Sequence, residues 1–83
     1  MTLSYPPEPI AAGTVAPISD AEHGIELELR GVSDTLWSFR DREYEIEIEL
    51  DGDHYRVSTV YPGGFTTRAL APTWADAIER GVG

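Results

Sequence analysis

Hydrophobic and polar residues alternate most regularly over residues 42–60. Tyr44, Ile46, Ile48 and Leu50 interleave with Glu43, Glu45, Glu47 and Glu49, the period-two pattern of a half-buried β-strand. Asp51-Gly52 then suits a type I′ hairpin turn, and Tyr55, Val57 and Thr59 carry the return strand. With Asp51 and Gly52 as the loop, the register pairs Leu50 with Asp53, Glu49 with His54, Ile48 with Tyr55, Glu47 with Arg56 and Ile46 with Val57. One face is then apolar, and the other sets the glutamates against Ser58, Arg56 and His54. A one-residue slip would send glutamates into the core, so the register enforces itself.

Upstream, Ile25, Leu27 and Leu29 alternate with Glu26, Glu28 and Arg30 between two glycines, which predicts another strand. Ser33-Asp34-Thr35 predicts a short helical turn before Leu36, Trp37 and Phe39. That aromatic pair either caps the open edge of the core or forms a binding hot spot. Downstream, Tyr61-Pro62-Gly63-Gly64 predicts a type II turn, and 65–70 a last, weaker strand that Pro72 breaks. Thr73-Trp74-Ala75-Asp76 matches a capping box, opening a helix over 74–80 that stops at Gly81. Trp74, Ala77 and Ile78 share its sheet-facing side.

Residues 1–24 hold Pro6, Pro7, Pro9 and Pro17 without a sustained period. They predict an extended proline-rich arm whose first ten residues are mobile. Ile10, Val15 and Ile18 are its candidate anchors, and Tyr5-Pro6-Pro7 is a candidate polyproline-type ligand. Residues 25–83 then form a single α+β domain, a three- or four-stranded, mostly antiparallel sheet with one short C-terminal helix.

Composition narrows the chemistry. A chain of 83 residues buries only about 60% of its unfolded surface. It has no cysteine, which removes disulfides and thiolate zinc sites. With no long apolar run and no signal-type start, a soluble, cytoplasmic protein is expected. Fifteen acids against six bases give a net charge of −9, and every base is arginine, as GC-rich codon usage produces. That charge repels nucleic acid and anionic membrane as direct partners. It fits plain solubility, adaptation to high salt, or a basic partner.

No reaction is legible. His54 lies beside Asp51 and Asp53 without the acids an EF-hand loop requires, so a solvated hairpin turn is expected. His23 reads as solvated. No lysine follows Gly63-Gly64 to make a phosphate loop. The serines lack a nucleophile elbow, and outward glutamates lack the burial that raises a general acid's pKa. The reading is therefore non-enzymatic, with no cofactor and no metal. The candidate partner-binding residues are Glu43, Glu45, Glu47, Glu49, Glu26, Glu28, Asp51, Asp53 and Trp37. Glutamates at every second position stand about 6.7 Å apart, of the order of phosphate spacing along a nucleic-acid strand. If 25–30 pairs beside the hairpin, Glu26 and Glu28 add a second row about 4.8 Å away. Any antiparallel sheet with one wet face also alternates in this way, and Arg56 and His54 would neutralise part of the row.

The run DGDHYRVSTVYPGGFTT followed by TWADAI resembles the core of HicB-type antitoxins. Asp51, Gly52, Tyr55, Val57, Pro62, Gly63, Phe65, Thr66, Thr73, Asp76 and Ala77 sit on that pattern, which covers about half the chain. Arg68, Ala69 and Leu70 lengthen the segment before the helix relative to the family. The resemblance implies a binding and inhibitory protein that covers a nuclease-like partner.

The leading expectation is an acidic interaction or inhibitor protein whose negative sheet face occupies a basic, nucleic-acid-binding or nuclease surface of another protein. Small phage-encoded anti-CRISPR and other anti-defence proteins resemble it in size and charge. A HicB-like antitoxin or stand-alone partner domain is one alternative. A structural or accessory component of a larger phage assembly, reaching a neighbour with the arm, is another. No membrane or direct nucleic-acid partner is expected, and a homodimer stays open.

Overall fold

The computed structural model describes residues 3–83. Six strands follow one another in an antiparallel meander: β1 (Val15–Asp20), β2 (Ile25–Ser33), β3 (Leu36–Asp41), β4 (Tyr44–Asp51), β5 (His54–Val60) and β6 (Thr66–Ala71). A single helix, α1 (Trp74–Val82), closes the chain. The expected three- or four-stranded sheet is thus corrected to six strands, the two unforeseen ones being β1 and β3. β1 lies inside the stretch read as an extended arm, and it tolerates Pro17 because of where that residue faces. Ser19 turns both its amide and its carbonyl outward to Ser4. Pro17, two residues earlier on the same edge, therefore has its missing N–H away from β2. β3 replaces the expected helical turn. Trp37 and Phe39 point into the core while Arg40 points out, a period of two.

The central hairpin keeps its faces but not its register. β4 and β5 pair Leu50 with Tyr55, Ile48 with Val57, Glu49 with Arg56, Glu47 with Ser58 and Asp51 with His54. The loop is Gly52-Asp53, with positive φ at Gly52 only, as in a type II′ turn whose first loop residue is glycine. The loop moves one residue along the chain, so every residue's partner shifts by two; the glutamates stay outside and only their partners change. The next turn behaves as its residues demand. Gly63, at the third position after Pro62, has positive φ, and the Gly64 amide donates to the Tyr61 carbonyl at 3.0 Å.

Trp74, Ala77 and Ile78 of α1 are buried against the sheet. Thr73 caps the helix, its hydroxyl accepting from the Asp76 amide at 3.1 Å. The helix does not stop at Gly81 but runs through it to Val82, with Gly83 as the cap. Gly81 is there for closeness: a Cβ at this position would lie 2.8 Å from Phe39 Cζ and 2.9 Å from Ile46 Cγ2.

One helix cannot cover this sheet. Six strands at about 4.8 Å spacing span roughly 24 Å, whereas a helix with its side chains is about 10–12 Å wide. α1 packs on β4, β5 and β6. Yet Ile18 of β1 and Leu29 of β2 are also fully buried. Residues 3–10 provide part of the second cover. Leu3, Tyr5 and Ile10 pack on the core, and Ser4 exchanges two backbone bonds with Ser19 at 2.7 and 2.8 Å. The expected mobile terminus is instead, from residue 3 onward, a tethered part of the fold. Residues 1 and 2 lie outside the described residues.

Candidate functional site

The outer sheet face carries most of the carboxylates singled out above. Glu45, Glu47 and Glu49 of β4 project from it at alternate positions, and Glu26 and Glu28 do so from β2. The two groups do not form adjacent rows. β3 lies between β2 and β4 and pairs with β2 only from Arg30 onward, so Glu26 and Glu28 stand beyond that pairing, well apart from the β4 row. The same face presents Arg30, Arg40, Arg56 and Arg68. Glu26, Glu28, Glu45, Glu47, Glu49 and Asp51 against these four arginines leave it only weakly negative, at −2. Most of the net charge of −9 therefore lies in the turns, the helix and the arm.

Pairing sorts these carboxylates. Arg40 donates to Glu45 at 3.2 Å. Arg56 donates to Glu49 at 3.1 Å and also reaches Asp51. Arg30 stands 3.4 Å from Glu28, and His54 lies 3.2 Å from Asp53 and 3.8 Å from Asp51. The expected pairs Glu47–Arg56 and Glu49–His54 are not formed, because the register advanced. Among the described residues Glu26, Glu43 and Glu47 have no ion-pair partner. Glu47 is the most distinctive, lying in mid-sheet between Ser38 on β3 and Ser58 on β5. These two small hydroxyl side chains leave its carboxylate open to solvent. The sequence offered the signal, since both serines sit at alternate outward positions, but only the register shows that they flank Glu47. Glu43 belongs to the β3–β4 turn, apart from the β4 row.

Trp37 is not a surface residue. It is 2% exposed, its ring makes a T-shaped contact with Trp74 at 5.1 Å, and its indole N–H donates to the Ile10 carbonyl at 2.7 Å. A group of more accessible aromatic residues lies at one end of the sheet. Tyr44, Tyr61 and Phe65 stack in sequence with centroid spacings of 5.1 and 5.6 Å, and Phe65 is 67% exposed.

Two further features bear on chemistry. Asp20, 1% exposed, lies close to Glu22 and His23, so His23, read from the sequence as simply solvated, has a side-chain partner. The turn uses the Asp20 carboxylate fully: Oδ1 accepts from the amides of Glu22 and His23, and Oδ2 pairs with the His23 ring at 2.9 Å. Burial acts to raise its pKa, but these bonds and the nearby imidazole outweigh it and hold the group below the ordinary value. The cluster is a clamp for the β1–β2 turn. Second, β2 and β3 pair only through Arg30–Ser38, Gly31–Trp37 and Ser33–Leu36. Beyond this the inner face opens into a cleft of about 780 Å³ beside the end of α1. Its rim balances Arg42 and Arg80 against Asp41 and Glu26, and so favours neither ligand charge.

No helix among the described residues is long and apolar enough to cross a membrane. The chain matches no protein-family model, no curated protein and no solved structure.

Proposed function

We propose that this protein is a non-enzymatic interaction domain whose outer sheet face docks on a basic protein surface, with Glu47 as the central seat. The observation that supports this is the unpaired Glu47 carboxylate flanked by Ser38 and Ser58. A partner guanidinium on Glu47 gains a charge-assisted bond without first displacing an internal arginine. The surrounding Arg40–Glu45 and Arg56–Glu49 pairs are mixed in sign. They set register against a patterned partner surface and give no uniform negative field. The mode of action is narrower than a continuous phosphate-like row: one open carboxylate in a frame of pairs.

By this reading the partner is a basic nucleic-acid-binding or nuclease protein met in the cytoplasm, and the domain occupies the nucleic acid's place, as small phage-encoded anti-defence inhibitors do. A HicB-like antitoxin is the second reading. It is favoured by the order β4, β5, Pro-Gly turn, β6 and capped α1, which follows the resemblance.

The test is an amide chemical-shift titration of the folded protein with an octa-arginine peptide, at low and at moderate salt. The proposal expects the largest shifts at Glu47, Ser38 and Ser58. Shifts centred on the Asp51–Asp53 turn or on Asp76 and Glu79 of the helix would instead mean that the peptide simply follows net charge.

A further inference from the structure

The segment Tyr5-Pro6-Pro7-Glu8-Pro9-Ile10 behaves in this fold as a bound ligand. The chain has only two tryptophans, and both indole N–H groups donate to this segment's backbone. Trp74 donates to the Pro6 carbonyl at 2.9 Å and Trp37 to the Ile10 carbonyl at 2.7 Å. The Tyr5 hydroxyl donates to the Glu79 carboxylate at 3.0 Å. Tyr55 completes the aromatic wall, its ring centroid 5.8 Å from Trp74 and 6.2 Å from Trp37. Prolines have no amide N–H, so this backbone offers mainly acceptors, and buried indoles need acceptors. Aromatic grooves recognise proline-rich peptides by this logic, since proline pre-sets an extended backbone at low entropic cost.

The arm, in lifting, would break its two backbone bonds to Ser19 and uncover Leu3, Tyr5 and Ile10, but it would leave the pairing of the six strands intact. Its hinge is fixed separately: the Gly13 amide donates to the Gly31 carbonyl at 2.8 Å, and the Gly31 amide to the Thr14 carbonyl at 2.9 Å. The Ala11 carbonyl accepts from the Thr14 amide and hydroxyl. At Gly31 a Cβ would collide with this same carbonyl, so the hinge is seated directly on β2. Residues 3–10 can therefore leave the groove while 11–14 stay anchored.

We propose that the groove lined by Trp37, Tyr55 and Trp74 is a recognition site for proline-rich extended peptides. The N-terminal arm is its ligand in cis, and a Tyr-Pro-Pro-x-Pro segment of a partner protein is the ligand in trans that displaces it. The groove lies on the opposite side of the sheet from Glu47, so it is a second and independent binding surface. The choice of occupant follows from the arm itself: the peptide chemistry this groove accepts is the one seated in it. Tethering keeps the arm at an effective concentration of the order of millimolar. A free peptide therefore binds the intact protein weakly, and binds better once the arm is loosened.

The test uses the full chain and a synthetic peptide of residues 3–10. The arm is weakened with Tyr5→Ala and Pro6→Gly, which remove the bond to Glu79 and one fixed backbone angle. Tryptophan emission reports on the groove directly. The variant should emit at longer wavelength than the unmodified protein, and the peptide should shift it back saturably, at least about tenfold more tightly than it binds the unmodified protein. A peptide with all three prolines replaced by alanine should bind more weakly, and Trp74→Phe placed in the loosened variant should weaken binding of the native peptide. If the variant fails to fold, the unmodified protein decides. With millimolar peptide, its amide signals from residues 3–10 should move toward free-chain positions while those of the sheet hold. No change in either protein, equal binding of the alanine peptide, or a dimer that forms by arm exchange and resists the peptide would each overturn the proposal.

Discussion

Replacing Gly81 with alanine should destabilise the domain, although alanine is the better helix former. The new Cβ would stand 2.8 Å from Phe39 Cζ and 2.9 Å from Ile46 Cγ2, whereas carbon atoms pack best at about 3.5–4.0 Å. Something must shift to admit it, and both neighbours are core side chains, Phe39 2% and Ile46 1% exposed. Inserting a methyl group into such a site costs about 1–3 kcal/mol. The gain in helix propensity is at most about 1 kcal/mol in a helix interior, and it is smaller in a last turn. The net expectation is a loss of about 1–2 kcal/mol, or a melting temperature lower by roughly 5–15 °C for a domain of this size. Thermal denaturation followed by circular dichroism measures it. The cause is tested by repeating G81A in a Phe39→Leu background, which removes the Cζ atom. There the alanine should cost less, because the two sites are in contact. An unchanged or higher midpoint for G81A, or an equal cost in both backgrounds, would refute the steric account of the glycine.

Thr73→Ala removes the hydroxyl that accepts from the Asp76 amide and should cost about 1 kcal/mol in urea denaturation. The low pKa of Asp20 gives an acid-sensitive turn. A carboxyl depressed in the folded state stabilises above its unfolded value, about 3.9, and that contribution is lost as pH falls through the folded value. Melting temperature should therefore drop below about pH 4, and the drop should be smaller in Asp20→Asn. At a net charge of −9, raising salt from a few millimolar to about 0.1 M should raise the melting temperature by screening self-repulsion. A flat response would mean that the arginine pairs already compensate the field.

Alternation and turn chemistry made much of this fold legible. β2, the β4–β5 hairpin, the Pro62 turn and the capped helix carry strong local signals, and β6 a weaker one. β1 and β3 were hidden for different physical reasons. Pro17 argues against a strand unless its N–H side is known to face an edge, and that follows only from the bonds between Ser19 and Ser4. In 33–39 the helix-capping residues belong to a turn, and the Trp37–Phe39 alternation was too short to outweigh them. The hairpin register failed because Asp51-Gly52 and Gly52-Asp53 are both acceptable loops, and both keep glutamates outside. Gly81 read as a stop signal, since the closeness of a helix to a sheet leaves no trace along the chain. The site suffered most from the register: one step changed which carboxylates meet arginine and which meet serine, and left Glu47 alone.

That difference can be measured. Glu47→Gln and Glu49→Gln alter the net charge equally, but Glu49 is already held by Arg56 and Glu47 is not. Their affinities for octa-arginine, compared with the unmodified protein by calorimetry at low salt, isolate position from charge. Docking centred on Glu47 predicts that E47Q loses up to about 1 kcal/mol, or roughly two- to fivefold in Kd, while E49Q changes little. Equal losses in the two variants would mean that only overall charge attracts the peptide, and would contradict Glu47 as the seat.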